Sequence, residues 1–473
     1  MRAAVIGGGI SGLAAAYELE KARKAGADVD WQLFEASGRL GGVLQTVRED
    51  GFTLEGGPDA WVSEKTAARE LAVELGLEAE FLFSQDATRK TYIFKDHRLQ
   101  AIPSNMRMMV PEDLLALEDS ALFSEMAKKA YAAEVERADE LKRRAPDNDE
   151  SVATFVERHF GHEVLTTIAA PLLSGVFGGD VKKLSVRAVM APFVAMEREY
   201  GSLIVGLREK TKARGGKAST PIFTSLRGGM GTLVDAMVCT LPTERIHLDS
   251  AVHEISYDVE WNIWLDKSKK VSTDWFDEML LATPLPVTRR LLLDFDPVGT
   301  VLLPGSGSPL SLLPTAASSA VLVAFAWKET FDMPPGFGFL VAEGEPSDLL
   351  ACTFVDQKFE GRATHGGRVI RTFFGGRTAD ALMAMSDDAV KAKALAELRR
   401  VLGDLPEPVA AHVSKWPQSL PQYEVGHLER IAAFEELLGR IPQLHVLGNC
   451  LHGVGVPDLI AQSRACVRAI SLK

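Results

Sequence analysis

The hydropathy pattern begins with a short apolar run, Ala3 to Ile6, that ends in glycines. Gly12 to Ala25 then places Leu13, Ala16, Tyr17 and Leu19 at helical spacing, so the start reads as strand, tight turn and helix. Asp30 to Phe34 (DWQLF) reads as a second strand closing on Glu35, which completes a βαβ unit. From about Val110 to His162 the spacing is helical and acid-rich, with a polar break, APDNDES (Ala145 to Ser151), before a helix starting near Val152. Period-two alternation in IHLDSAVHEISYD (Ile246 to Asp258) and WNIWLDK (Trp261 to Lys267) predicts a return to sheet. Gly299 to Pro314 reads as an apolar loop and Asp387 to Leu402 as an amphipathic surface helix. No repeat with a period of about 20 to 50 residues and no low-complexity tract is present, which argues against a solenoid or propeller.

Composition narrows the class. With 473 residues, 46% hydrophobic and 25% charged, the chain is a folded protein of two or three domains rather than a disordered or collagen-like one. Lys plus Arg total 52 against 64 Asp plus Glu, a formal charge of -12, so a nucleic-acid partner is not expected. Cys239, Cys352, Cys450 and Cys466 show neither CxxC pairing nor metal-ligand spacing. They read as buried or idle thiols in a reducing compartment, and no metal site is expected. Uncharged stretches such as Ser318 to Trp327 are too short to span a bilayer. The run from Ala3 to Tyr17 imitates a signal peptide, but its glycines and the lack of a cleavage site argue against one.

The chemistry-bearing motif is GGGISG, comprising Gly7, Gly8, Gly9, Ile10, Ser11 and Gly12. Its GxGxxG glycines serve a tight turn, close backbone approach to a pyrophosphate and close packing of helix on strand. The helix N-terminus that follows favours the phosphates. Glu35, 23 residues after Gly12, is placed to accept from ribose hydroxyls, a reading the preceding turn favours over an ordinary exposed acid at a strand end. Arg39 with Gly41 and Gly42 supplies a cation beside a second close backbone approach, which suits a cofactor longer than the first turn.

GRLGG after this fingerprint, and GGPD at Gly56 to Asp59, resemble the flavoprotein superfamily of amine oxidases, phytoene desaturases and porphyrinogen oxidases. Six more blocks resemble the oxygen-dependent protoporphyrinogen oxidases and their relatives that act on coproporphyrinogen III. They are DESVATFVERHFG (Asp149 to Gly161), PLLSGVFGGD (Pro171 to Asp180), MEREYGSLIVG (Met196 to Gly206), SLRGGMGTLVDAM (Ser225 to Met237), WPQSLPQYEVGH (Trp416 to His427) and GNCLHGVGVPD (Gly448 to Asp458).

The resemblance implies an FAD cofactor and oxidation of protoporphyrinogen IX to protoporphyrin IX by molecular oxygen, with coproporphyrinogen III as the alternative substrate. Remoter alternatives are an amine oxidase, a carotenoid desaturase or a silent FAD-binding carrier. It also implies FAD contacts at Gly7 to Gly12, Glu35, Ala36, Arg39, Gly42, Val43, Gly57, Pro58, Asp59, Ala60, Val252, Trp416, Val454, Gly455 and Val456. Trp416 also has a plain reading as a core aromatic, and the resemblance turns it towards the cofactor. Gly175 is implied at the substrate cavity, and equally reads as a helix terminator. Arg89 or Lys90 is implied as partner of a substrate carboxylate, against a solvated pair at a strand end. No side chain is named as general acid or base.

The expected fold is α/β with α+β character. A Rossmann-like FAD domain (1–85, 226–290, 415–473) is joined to a mixed-sheet substrate domain (291–414 with parts of 86–110 and 210–225) and a helical insertion (110–209). Relatives imply a homodimer and peripheral membrane contact through the insertion, yet Glu112 to Glu150 is too acidic to favour anionic lipid by charge. The expectation is a cytoplasmic protein, soluble or loosely attached to the cytoplasmic membrane face.

Overall fold

The computed structural model describes residues 1–214, 221–266, 269–270, 275–294, 309–363 and 366–470. The opening apolar run forms strand β1 (Arg2–Ile6), the glycine turn leads into helix α1 (Ile10–Lys24), and strand β2 is Asp30–Phe34. These strands join a five-stranded parallel sheet in the order Ile246–His247, β2, β1, Glu278–Leu281, Leu444–Val446. Three distant stretches of the chain thus build one sheet.

A parallel sheet buried on both faces needs continuous rather than alternating apolar strands, and Ala3 to Ile6 are all at most 2% exposed. Leu13, Ala16 and Leu19 of α1 pack with Ile460 and Val467 of the helix Val456–Ala469 on one face. Trp261, Ile263, Phe276 and Leu285 pack against Ala4, Ile6 and Phe34 on the other. The alternating segments divide accordingly: Ile246–His247 edges the parallel sheet, while Glu254–Tyr257 and Trp261–Asp266 form an antiparallel pair. Lys267 and residues 299–308 of the expected apolar loop lie outside the described residues.

A seven-stranded mixed sheet runs Ala410–Pro421, Ala317–Trp327, Arg368–Gly375, Ala351–Phe354, Gly338–Val341, Thr91–Lys95, Arg98–Ala101. Only Gly338–Val341 and Thr91–Lys95 pair in parallel. One face buries Val321, Val323, Phe325, Phe339, Ile370 and Phe374 with Val390, Ala394 and Leu398 of the amphipathic helix Asp387–Leu402. Period two then turns Leu322, Leu340, Arg371 and Phe373 to the opposite face. Trp416 pairs with Ala320, so residues 415–421 lie in this sheet, although the sequence groups them with the dinucleotide part.

Helices Glu125–Glu136, Val152–Phe160, Ala170–Phe177, Ala191–Tyr200 and Leu203–Arg214 make the helical unit. Ser151 caps the second of these, accepting from the Thr154 N–H, so the polar break serves as a helix start. The apolar centre of the unit, Tyr131, Phe155, Phe160 and Ile168, also takes in Ile93 of the seven-stranded sheet and Ala342, just past the end of its strand Gly338–Val341. Among the described residues no helix is long and apolar enough to cross a membrane.

Candidate cofactor site

The predicted motifs meet at the C-terminal edge of the parallel sheet, where open α/β folds hold their ligands. Gly7 leaves β1 at φ +107, and a Cβ there would lie 2.5 Å from the Ala282 carbonyl oxygen. Gly12 is tighter still, its Cβ position 1.8 Å from the Gly7 oxygen, so this turn admits no side chain at either position. Gly9 is the N-cap of α1 and no side chain caps the helix, which leaves its N-terminus to an anion. Ile10 and Ser11 are buried beneath that first turn.

Glu35 sits beside the turn at the end of β2. Its carboxylate accepts from the Gly8 N–H at 2.7 Å and from the Ser37 N–H at 2.8 Å. Ala36 follows, exposed, and Val252 lies in the adjoining segment, whose Ser250 N–H donates to the Glu35 carbonyl at 2.8 Å. Val252 itself is buried against Phe34.

The second glycine pair runs alongside the first. Gly41 N–H donates to Gly8 O at 2.8 Å, and a Cβ on Gly42 would come 3.1 Å from the Gly9 Cα. Arg39 donates to the Gly42 carbonyl at 2.7 Å and stands 5.9 Å over the Trp416 ring. The Trp416 indole N–H donates to Gly56 O at 2.7 Å. Gly57 presses on the oxygen of Val43, its Cβ position being 1.8 Å away. Pro58 and Ala60 are half-buried in the same loop.

From the far strand, Leu447 N–H donates to Leu281 O and carries the chain to Gly455, the N-cap of the last helix. Val454 is half-buried and Val456 packs into the core shared with Ile10. The structure therefore brings Gly7–Gly12, Glu35, Arg39–Val43, Gly57–Ala60, Trp416 and the 448–456 segment to one edge of the molecule.

Sequence reasoning missed the support beneath the Gly56–Asp59 loop. The Asp59 carboxylate is committed to Lys358 (3.1 and 3.2 Å) and Arg371 (3.3 Å). What the loop offers a cofactor is therefore its backbone. Arg371 also donates to the Gly57 carbonyl, and Ser225 to the Asp59 carbonyl at 2.6 Å. Arg362 lies 3.8 Å from Glu55, and that carboxylate accepts from Thr46 at 2.6 Å and the Met230 N–H at 2.8 Å.

Burial alone would raise the Asp59 pKa, but Lys358 and Arg371 outweigh it and hold the carboxyl at about 2. Lys358 shifts down, through burial and the repulsion of Arg371 and Arg362 against the pull of Asp59. Glu55 moves up, because its burial exceeds what Arg362 returns. The one sequence signal for this cluster was Arg371 itself, a charge in the middle of the apolar strand RVIRTFFG.

Arg89 and Lys90 line a second feature, a cavity of about 980 Å³. It also holds Arg98, which sequence reasoning did not single out, and an apolar part made by Met106, Met108, Leu122 and Leu172. Asp86, Asp96 and Asp119 stand on the same wall. Leu172 is one turn before Gly175 in the helix Ala170–Phe177, and a Cβ on Gly175 would meet the Leu340 side chain at 3.6 Å. Gly175 is thus inside that helix; its terminator is Gly178, at φ +62.

The donor set fits a dinucleotide: an uncapped helix N-terminus, three backbone runs that exclude side chains, and a buried Arg371 whose Nε has no hydrogen-bond partner among the described residues. No group of residues suited to a metal ion occurs among the described residues, and all four cysteines are free thiols. Cys239 is exposed rather than buried.

Comparison with known proteins places this geometry. Coproporphyrinogen III oxidase of Bacillus subtilis is 29% identical over 471 residues, covering 98% of this chain and 96% of that protein. Protoporphyrinogen oxidase 2 of Arabidopsis thaliana is 28% identical over 489 residues, covering 97% and 92%. The crystal structure of a chain provisionally assigned as a protoporphyrinogen oxidase, from Exiguobacterium sp. 255-15, superposes with a TM-score of 0.85 at 30% identity, over 100% of this chain and 98% of that one. The model of the flavin containing amine oxidoreductases matches residues 10–471. That match takes in α1, the second glycine pair, the acid at the end of β2 and the closing helix, and the chain belongs to the flavin containing amine oxidoreductase family, with FAD as its cofactor.

Proposed function

We propose that this chain is an oxygen-dependent porphyrinogen oxidase acting on coproporphyrinogen III. The observation that carries the reading is the end-to-end likeness to proteins named for that reaction, 29% identical over 98% of this chain in the Bacillus subtilis case. The 980 Å³ cavity supports it, being large enough for a macrocycle and pairing an apolar wall with three cations. Asp86, Asp96 and Asp119 match Arg89, Lys90 and Arg98 in number, so the preference for coproporphyrinogen III rests on the relatives named for it and reverses the order expected from sequence.

FAD, when bound, supplies the two-electron acceptor for each of three successive oxidations. Overall the porphyrinogen loses six hydrogens, and three molecules of oxygen take them up as hydrogen peroxide. The residues of this chain bind and orient. Gly7–Gly12 and the α1 N-terminus take the pyrophosphate, Glu35 the ribose, and the Gly56–Ala60 and 454–456 segments the flavin ring. Met106, Met108, Leu122 and Leu172 would offer apolar contact to the macrocycle. We place the enzyme in the cytoplasm with at most a peripheral membrane contact; fractionation of cells into soluble and membrane parts tests this.

A second reading, protoporphyrinogen IX as substrate, is favoured by the Met106, Met108 and Leu172 wall and by the Arabidopsis relative. Initial rates on both porphyrinogens, followed as porphyrin fluorescence with one preparation, separate the two. Coproporphyrinogen III is expected to be oxidised at least about tenfold more efficiently, ~1.4 kcal/mol of discrimination. A preference for protoporphyrinogen IX establishes the second reading, and oxidation of neither rejects both.

A further inference from the structure

Five ionisable side chains are shut in beneath the Gly56–Asp59 loop: Glu55, Asp59, Lys358, Arg362 and Arg371, none with a side chain more than 14% exposed. Three cations meet two carboxylates, and among the described residues no third carboxylate pairs with Lys358, Arg362 or Arg371. A buried charge without a counter-charge is costly, so a surplus of one invites a group of opposite sign. It is also fixed in position. Arg371 and Ser225 hold the loop carbonyls of Gly57 and Asp59 from below, and Arg362 donates to the same Ser225 hydroxyl. Charges this far from water act over distance with little screening.

This inference rests on the reading of the Gly56–Ala60 loop as facing the flavin ring. A flavin that takes up two electrons and one proton gains one negative charge. We propose that the surplus positive charge of Lys358, Arg362 and Arg371 over Glu55 and Asp59 raises the reduction potential of FAD held over this loop. Lys358 and Arg371 are positioning residues here, acting on the cofactor's electrostatics without touching the substrate.

The test is the two-electron reduction potential of the bound flavin, measured by equilibration with a reference dye, with sulfite affinity of the oxidised flavin as a second readout. Lys358→Met and Arg371→Met are expected to lower the potential by at least about 30 mV, a tenfold shift in the equilibrium, and to weaken sulfite binding. Asp59→Asn, which enlarges the surplus at nearly constant shape, is expected to move both readouts the opposite way. Arg371→Lys, which keeps the charge, is expected to stay near wild type. Shifts of the same sign in the Met variants and in Asp59→Asn overturn the proposal, because a purely structural role predicts that pattern. Should the Met variants not fold, Asp59→Asn decides alone: a raised potential supports the proposal, and an unchanged or lowered one overturns it. Wild-type protein that folds but takes up no FAD refutes instead the reading on which the proposal stands.

Discussion

Single glycines carry much of the site. Gly57 abuts the Val43 carbonyl so closely that a methyl group requires one of the two backbones to move. Gly57→Ala is expected to weaken flavin retention at least about tenfold, ~1.4 kcal/mol, read as visible flavin absorbance per purified protein. Trp416→Phe keeps the aromatic bulk and removes only the donor to Gly56 O. It should cost about 1 kcal/mol of unfolding free energy in denaturant titration and leave the fold intact. Gly57 stood out in the sequence as a motif glycine, whereas Trp416 by itself reads as a core aromatic and was linked to the cofactor only through the resemblance of its block. Lys358 and Arg362 did not stand out, because a charge looks alike in sequence whether it faces water or a carboxylate brought in by a strand hundreds of residues away.

Legibility at the scale of elements follows the locality of the physics. The break Ala145 to Ser151 announced a helix because the Ser151 cap lies within three residues of the N–H it serves. Ser151→Ala is expected to destabilise the helical unit by about 1 kcal/mol, seen as a lower urea midpoint at unchanged slope. The run Asp387 to Leu402 announced its helix through its own periodicity, and its apolar stripe found the sheet. Non-local facts stayed hidden. Ile246–His247 and Glu254–Tyr257 alternate alike, yet one joins the parallel sheet and the other an antiparallel pair, since pairing is settled by partners. The polar centre of the helical unit was hidden too. His159 bridges Glu134 (3.0 Å) and Glu197 (3.3 Å) with Arg158 alongside, a cluster gathered from three helices.

For the whole molecule, two histidines oppose each other in pH. Burial alone would lower the His445 pKa, but hydrogen bonds with Cys466 and Glu278 overcome it and raise it to about 9. Its stabilisation is complete below an unfolded value of about 6.5 and is lost as pH rises from there through 9. His427 is driven the other way by burial, to about 4, while its Nε2 donates to Leu451 O at 2.8 Å. Its contribution is complete above about 6.5 and is lost as pH falls through 4. Unfolding free energy against pH is expected to peak near neutrality. His445→Gln should flatten the alkaline limb and His427→Gln the acid limb, each by about 1–3 kcal/mol relative to wild type. The central sheet has a temporal consequence as well. Ala3 pairs with Glu278, whose neighbour Met279 pairs with Leu444, and Arg464 of the final helix meets Glu18 of α1 at 2.6 Å. A nascent polypeptide stalled on the ribosome before Leu444 therefore has its glycine turn but neither the outer strand nor the helix that covers α1. Cofactor capture waits until that strand and that helix have emerged, and the half-made protein must be sheltered until then.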